Sequence, residues 1–504
     1  MTALRRDRAV VLGGGITGLL AARVLSDHFA VVELVDRDAL DDSVVARRGT
    51  PQARHLHGLL SRGLEVLEDL LPGLTAELVD EGAPIGDMLG NTRICFGGHR
   101  FAQGPSGLTA LCVSRPTLEA AIRRRVSALP GVRLRGGHDI AGLTTTPDHR
   151  RVTGVVVVDR RDGHGETASA EWPADLTVVA TGRGSRLATW LSAHGYAPPT
   201  TERVALQVAY ASQQFLLPQG ALGNDLVVLS APTPRRPRGG ALSLIEGGRC
   251  LVTLMGVLGD HPPTDTDGFR GFAADAALPD LAELVRLAEP VDDPARYRHP
   301  VAVRHRYDRI PSFPDGLAVL GDSVCSLNPI YGQGMTVAAL QAQVLHRHLE
   351  RGAGWRPSRY LDDIGRISAA AWSLALAGDL SFPQVSGHRT TATRLLGGYV
   401  ARLQAAAAND PALGGAFLRV TSLVDPPAAL LRPDTLRRVV RPRRARSARS
   451  PESTEPSDQG SVGEDHSTCK TWKLSPDRPR EYGLSASMWR WTCHARRCRS
   501  PRLG

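Results

Sequence analysis

Two runs of glycine, far apart in this chain, are spaced to bring backbone N–H groups against an anion. The first is Gly13-x-Gly15-x-x-Gly18, directly after the apolar run Val10-Val11-Leu12. The second is Gly321–Thr336, reading GDSVCSLNPIYGQGMT, directly after Leu317-Ala318-Val319-Leu320. Each opens onto a helical pattern, and the first turn of a helix carries unpaired N–H groups and a positive dipole end. Such a turn suits a phosphate or an electron-rich carbonyl, and small residues let the ligand approach the backbone. In the second run Asp322 falls at the carboxyl end of the strand, and Pro329, Gly332, Gln333 and Gly334 lead into the helix near Met335.

The elements around the first run are those a dinucleotide site needs. A helix is predicted from Ile16 to about Ser26 and a second strand over Val31–Val35, ending at Asp36-Arg37. Gly13 permits the tight turn, Gly15 the approach of a pyrophosphate, and Gly18 the close packing of helix on strand; Asp36 is placed to accept from an adenosine ribose. The alternative is a βαβ unit whose glycines serve packing alone. Strand, helix and acid stand in the register that a dinucleotide requires.

The pairing of these two motifs resembles the FAD-dependent monooxygenases of the aromatic-hydroxylase type, over about residues 8 to 430. Three further segments carry the resemblance. Arg47-Arg48-Gly49-Thr50-Pro51-Gln52-Ala53-Arg54-His55-Leu56-His57 is similar to a segment of the flavin epoxidases of polyether antibiotic assembly. Ser114-Arg115 resembles the site of the arginine that meets the FAD phosphates. Val179–Leu187 is similar to the middle motif, with Thr181 where an Asp is usual. Cys325 stands where many hydroxylases carry His, and Gln333 where the epoxidases often do.

The resemblance implies an α/β fold. A Rossmann-type FAD-binding domain would be built from discontinuous segments, with an antiparallel substrate-domain sheet and C-terminal helices. It implies cofactor contacts from Gly13, Gly15, Gly18, Asp36, Arg37, Arg48, Gln52, Arg115, Gly321, Asp322, Pro329, Gly332, Gly334 and Met335. It also implies reduction of FAD by NADH or NADPH, reaction with dioxygen, and a flavin C4a-hydroperoxide that delivers one oxygen atom. The helix start at Gly332–Met335 is where the negative charge of reduced flavin is expected to be stabilised. Only one G-x-G-x-x-G is visible, so the nicotinamide is expected to visit transiently, or a separate flavin reductase to supply electrons. The expected substrate is a lipophilic, polyketide-like natural product of secondary metabolism such as antibiotic biosynthesis, with epoxidation ahead of hydroxylation.

Competing functions leave different traces. Tryptophan-type halogenases of this architecture rely on a lysine and a Trp-x-Trp-x-Ile-Pro motif. Both lysines of this chain, Lys470 and Lys473, lie near its end, and the motif is missing. A flavin-dependent alkene reductase of the geranylgeranyl-reductase type and a non-catalytic flavin-binding protein remain as alternatives. No catalytic acid or base emerges from the pattern. His55 and His57 read as structural or cofactor-positioning groups, Cys112 and Cys325 as small buried residues. Tyr331 reads equally as a chamber wall or as packing, and Arg123-Arg124-Arg125 as a solvated helix face.

Composition agrees with a large cytoplasmic enzyme. The 504 residues are 42% hydrophobic, ample for more than one core. Seven cysteines without a Cys-x-x-Cys indicate neither a disulfide framework nor a dithiol centre. No leader pattern opens the chain, and no apolar run approaches the ~20 residues needed to cross a bilayer. The formal charge of +10 is local: Arg437–Gly504 holds 16 basic and 7 acidic residues, and the remainder 45 and 44. A nucleic-acid role for the main body thereby loses its motive. The composition of this terminal stretch reads as a disordered basic tail. His466, Cys469, Cys493, His494 and Cys498 fit no common zinc spacing, so no metal is expected.

Between the motifs, a helix is predicted over Pro116–Leu129 and strands over Val152–Val158 and Thr167–Trp172, around a turn at Asp162–Gly165. A buried strand follows at Leu176–Ala180. Antiparallel strands are expected at Val204–Tyr210, Leu226–Leu229, Ala241–Ile245 and Leu251–Gly256, a short helix at Leu278–Leu287 and an edge strand at Val301–Arg306. Helices are expected at about Met335–Arg351, Arg359–Ala377 and Thr391–Ala408. The expected organisation assigns 1–85, 113–200 and 306–355 to the FAD-binding domain, the last carrying the flavin-ring motif. It assigns 86–112 to a substrate-domain insertion, 201–305 to the substrate domain, 356–435 to a helical region and 436–504 to the tail.

Overall fold

Strands that read as unbroken apolar runs are stable only when both faces are covered. The computed structural model describes residues 6–160, 169–275, 278–352 and 355–441, all within the unit Met1–Ala445. Its central sheet is parallel and five-stranded, in the order Leu317–Val319, Leu176–Val179, Arg6–Leu12, Phe29–Val35, Val132–Arg135. The inner strands are buried throughout their carboxyl-terminal stretches, Ala9–Leu12, Val32–Val35 and Leu176–Val179, whereas Val132–Arg135, at the edge, alternates apolar and charged residues. Leu317–Val319, Leu176–Val179 and Arg6–Leu12 are consecutive in this sheet yet more than a hundred residues apart in sequence, so the glycine-bearing turns that follow them emerge side by side.

Helices cover the sheet with small and aliphatic side chains. Ile16–Ser26 buries nine of its eleven residues and packs against Gly334–Glu350, the helix that follows the second glycine run. Pro357–Asp379 lies on that helix, and its buried Tyr360 donates its hydroxyl to the carbonyl of Val319 at 3.0 Å. This bond satisfies a carbonyl next to the end of the strand that carries Gly321.

A second sheet of eight strands stands over this layer. Val208–Leu216, Cys250–Gly256, Arg238–Leu244 and Val227–Ser230 run antiparallel in that order, and Ala295–His299 pairs with the outer side of Val208–Leu216. Thr92–Phe96 joins the other side in parallel with Val227–Ser230. Phe215, Phe269, Leu281 and Leu284 form a core between this sheet and the helices Thr266–Ala274 and Pro279–Leu287.

Four expectations need correction. The run Val204–Tyr210 is not one strand: Gln207 takes a left-handed φ of 52°, which separates Thr200–Val204 from Val208–Leu216. Ala302–Arg306 is the middle strand of a three-stranded sheet rather than an edge, held between Thr200–Val204 and Cys325–Ser326. Arg123 is 3% exposed and donates to the carbonyl of Ser43, while Arg124 and Arg125 pair with Glu77 and Glu81, so the triplet is not a solvated face. The basic stretch from residue 436 begins inside a helix, Pro433–Val440, anchored by buried Thr435 and Val439. The expected turn at Asp162–Gly165 and the chain beyond Arg441 lie outside the described residues. Among those described, no helix is long and apolar enough to cross a membrane.

Tyr360→Phe removes the hydroxyl that donates to the buried Val319 carbonyl. Chemical unfolding should show a loss of about 1–3 kcal/mol, the usual penalty for a buried unsatisfied acceptor.

Candidate functional site

The glycines of the first motif divide by what surrounds them. A Cβ on Gly13, whose φ is +104°, would lie 2.5 Å from the Ala180 carbonyl oxygen, and one on Gly18 only 1.8 Å from that of Gly13. The chain's own packing therefore demands both. Gly15 is different: its φ of −75° suits any residue, and the nearest atom to a Cβ would be Thr50 Cγ2 at 4.0 Å. Among the described residues nothing crowds that position, and open space lies in front of an uncapped helix N-terminus, where the missing side chain leaves room for a ligand.

The second motif repeats the arrangement and touches the first. Gly321 has a left-handed φ of +65°, and a Cβ on it would stand 2.6 Å from Thr17 Oγ1 in the first helix. Ser323 Oγ donates to the Gly182 carbonyl at 3.3 Å, which draws in the middle segment. Gly332, also left-handed, turns the chain into the helix at Gly334, where a Cβ would meet only Asp322 Oδ1 at 4.0 Å. Gln333, 3% exposed, precedes that helix without capping it and donates instead to the Thr421 carbonyl at 3.3 Å. Two uncapped helix ends thus face open space in one neighbourhood.

Charge is concentrated beside the first turn. Asp36 accepts from the N–H of Gly14 at 2.5 Å and of Asp38 at 2.8 Å. Arg47, 9% exposed, donates to the Gly14 carbonyl at 2.9 Å and to Glu119 Oε1 at 2.6 Å, with Asp36 Oδ1 3.4 Å away. Burial alone would lower its pKa, but Glu119, Asp36 and Asp38 outweigh that and raise it. Arg115 lies across the same Glu119. Its Nε makes no hydrogen bond among the described residues, the Glu119 carboxylate being 3.8 Å away. Its pKa is lowered by burial, with Glu119 and Asp322 opposing.

These features fit a dinucleotide: an open glycine at a helix start, a carboxylate at the end of the second strand, and a buried guanidinium with an unused donor. A dinucleotide cofactor such as FAD fits this cradle. Among the other expected contacts, Arg37 and Arg48 are exposed, Gln52 and Pro329 half-buried and Met335 8% exposed. Among the described residues, no cluster of His, Cys, Asp and Glu is arranged to hold a metal.

A second wall comes from the eight-stranded sheet. Tyr210 and Tyr297 face each other across their strands, and His55 lies against both rings at centroid distances of 6.1 and 5.5 Å. His55 Nδ1 lies 2.8 Å from Ser212 Oγ, which bonds Thr253 Oγ1 at 2.5 Å; the same Thr253 oxygen accepts from the N–H of Leu56. This chain ties the 51–57 segment to the sheet. His57 Nδ1 is 2.8 Å from the His55 carbonyl, which fixes the proton on that nitrogen. Burial and the nearby Arg54 push His55 down to about 4; burial and Arg115 push His57 down to about 3. His299, 3.1 Å from Arg183, falls to about 4 by burial and that charge.

Tyr331 and Asn328 are held by a residue without any motif. Asp379, 1% exposed, accepts from Asn328 Nδ2 at 2.9 Å and from the Tyr331 hydroxyl at 2.8 Å, both on one oxygen. A Cβ on Gly378 would lie 2.2 Å from that hydroxyl. The turn leading to Gly334 is therefore locked from behind. Cys112 and Cys325 are buried thiols whose pKa burial raises, leaving them unreactive.

Comparison with known proteins agrees with this geometry. The family model described as an FAD binding domain matches residues 7–371, and the chain belongs to that family. It is 35% identical over 442 residues to Protein Rv3254 of Mycobacterium tuberculosis, covering 83% of this chain and 90% of that one. It is 28% identical over 360 residues to kynurenine 3-monooxygenase of Salinispora tropica, covering 68% and 72%. Among solved structures, the flavin-dependent brominase Bmp2 superposes with a TM-score of 0.61 at 15% identity, covering 86% and 98%. The protein is an FAD-dependent monooxygenase of the aromatic-hydroxylase fold.

Sequence reasoning missed Arg47, choosing its exposed neighbour Arg48; nothing in an Arg-Arg pair says which side chain turns inward. It also missed Glu119, Arg183 and Asp379, each set in place by tertiary contacts.

Two outcomes check this site. Gly18→Ala should destabilise the apoprotein by about 2 kcal/mol or more through overpacking, while Gly15→Ala leaves apoprotein stability nearly unchanged yet weakens FAD binding. Asp379 is pushed up to about 6 by burial, with Tyr331 and Asn328 pulling the other way. A carboxyl raised in the folded state contributes stability below its unfolded value of about 4 and loses it as pH rises through 6. Asp379→Asn keeps an acceptor for both partners, so its stability relative to the parent should gain about 3 kcal/mol across that window.

Proposed function

We propose that this monooxygenase uses NADH or NADPH and dioxygen to epoxidise an alkene of a lipophilic, polyketide-like natural product. One oxygen atom enters the substrate; the other leaves as water, with a hydride (two electrons and one proton) from the nicotinamide and the second proton from solvent. FAD supplies the activation of oxygen when bound. The chain's residues hold it, exclude water and shape the chamber: Arg115 and the helix start at Gly15 toward the pyrophosphate, Gly332–Met335 toward the ring, Tyr210, Tyr297 and Tyr331 as aromatic walls.

The observation that carries epoxidation over hydroxylation is the low basicity around this wall. Hydroxylation of a phenol gains from a base that removes the phenolic proton, and imidazoles held at about 3 to 4, as His55, His57 and His299 are, accept protons poorly. An electron-rich alkene needs no such base. The absence of lysine from residues 1–469 argues against halogenation, which the Bmp2 likeness in fold does not by itself imply. The reaction is assigned to the cytoplasm.

Products formed from polyenes and aromatics under isotope-labelled dioxygen decide the matter by mass spectrometry. One labelled atom per product, as an epoxide, is expected. An alkene saturated without oxygen would instead establish the reductase, and a labelled phenol the hydroxylase.

A further inference from the structure

Helices on a water-facing surface bury one stripe and present polar residues on the other. The helix Thr391–Ala407 departs from this, burying nothing before Leu403 and leaving Leu395 71% and Leu396 47% exposed. Tyr399, one turn beyond both leucines, donates its hydroxyl to the Leu430 carbonyl at 2.5 Å, which brings Leu431, 46% exposed, to the same stripe. The helix Pro433–Val440 packs alongside and adds Leu436 and Val440 one turn apart, the latter 77% exposed.

The same corner is basic. Residues 391–441 contain seven arginines and three aspartates. Two of the aspartates are taken by Arg438 and Arg419, while Arg394, Arg402, Arg432, Arg437 and Arg441 are exposed among the leucines. In sequence the charge continues with Arg443, Arg444, Arg446 and Arg449.

We propose that this corner docks on an anionic lipid surface. Exposed leucines alone would equally suit a second copy of the chain. A twofold pairing sets a patch against itself, however, and would bring the two sets of arginines together. A phospholipid surface offers negative headgroups above hydrocarbon, and so takes up both the charge and the apolar side chains. This inference is independent of the oxygen chemistry.

The test is sedimentation of the full-length, FAD-loaded chain with phosphatidylcholine vesicles, with and without phosphatidylglycerol. Association is expected only with phosphatidylglycerol. It should weaken about five-fold for each arginine removed in Arg394→Gln and Arg437→Gln. It should weaken roughly ten-fold or more in Leu395→Ser/Leu396→Ser, with flavin content unchanged. No association would overturn the proposal. So would undiminished association of the leucine variant, which would assign binding to the residues beyond Arg441. A dimer that the same leucine substitutions dissociate would assign the surface to a second copy.

Discussion

Thr17 occupies the space a side chain on Gly321 would need, and that contact joins the two halves of the site. It exists because Arg6–Leu12, Leu176–Val179 and Leu317–Val319 are consecutive in one parallel sheet, so the turns at their carboxyl ends share one rim. Parallel pairing needs long crossovers, and in this chain the crossovers carry the second sheet and most of the helices. Cofactor cradle and chamber wall are thus consequences of one topological choice.

Electrostatics at this rim rests on making buried charges depend on one another. Arg47 binds Gly14, Glu119 and the neighbourhood of Asp36 together, so the dinucleotide turn cannot shift without unpairing a buried guanidinium. Arg115 keeps one donor unused. Burial first, and the charges of Arg54, Arg115 and Arg183 second, hold His55, His57 and His299 neutral, so these imidazoles act through hydrogen bonds and ring contacts rather than as bases.

The sequence reveals what is local and repeats a general physical requirement. Helix Ile16–Ser26, the strand before Gly13 and the helix after Gly334 could be read because apolar period, glycine position and strand end coincide within a few residues. The family resemblance extended that reading to the shape of the whole. What could not be read was set by distant neighbours. The break at Gln207, the middle position of Ala302–Arg306, the inward turn of Arg47 and the clamp of Asp379 on Tyr331 all depend on residues about 20 to 100 positions away. No local pattern encodes them.

The central claim is that both remote glycine turns grip one cofactor. Equilibrium titration of the full chain with FAD, followed by flavin fluorescence, tests it most directly when Gly15→Glu and Gly334→Glu are measured beside the parent. Neither substitution meets a protein atom closer than 4.0 Å at its Cβ. The account predicts one FAD per chain for the parent and severe loss of affinity in both variants. Full affinity in the Gly334→Glu chain, or no uptake by the parent, would contradict it.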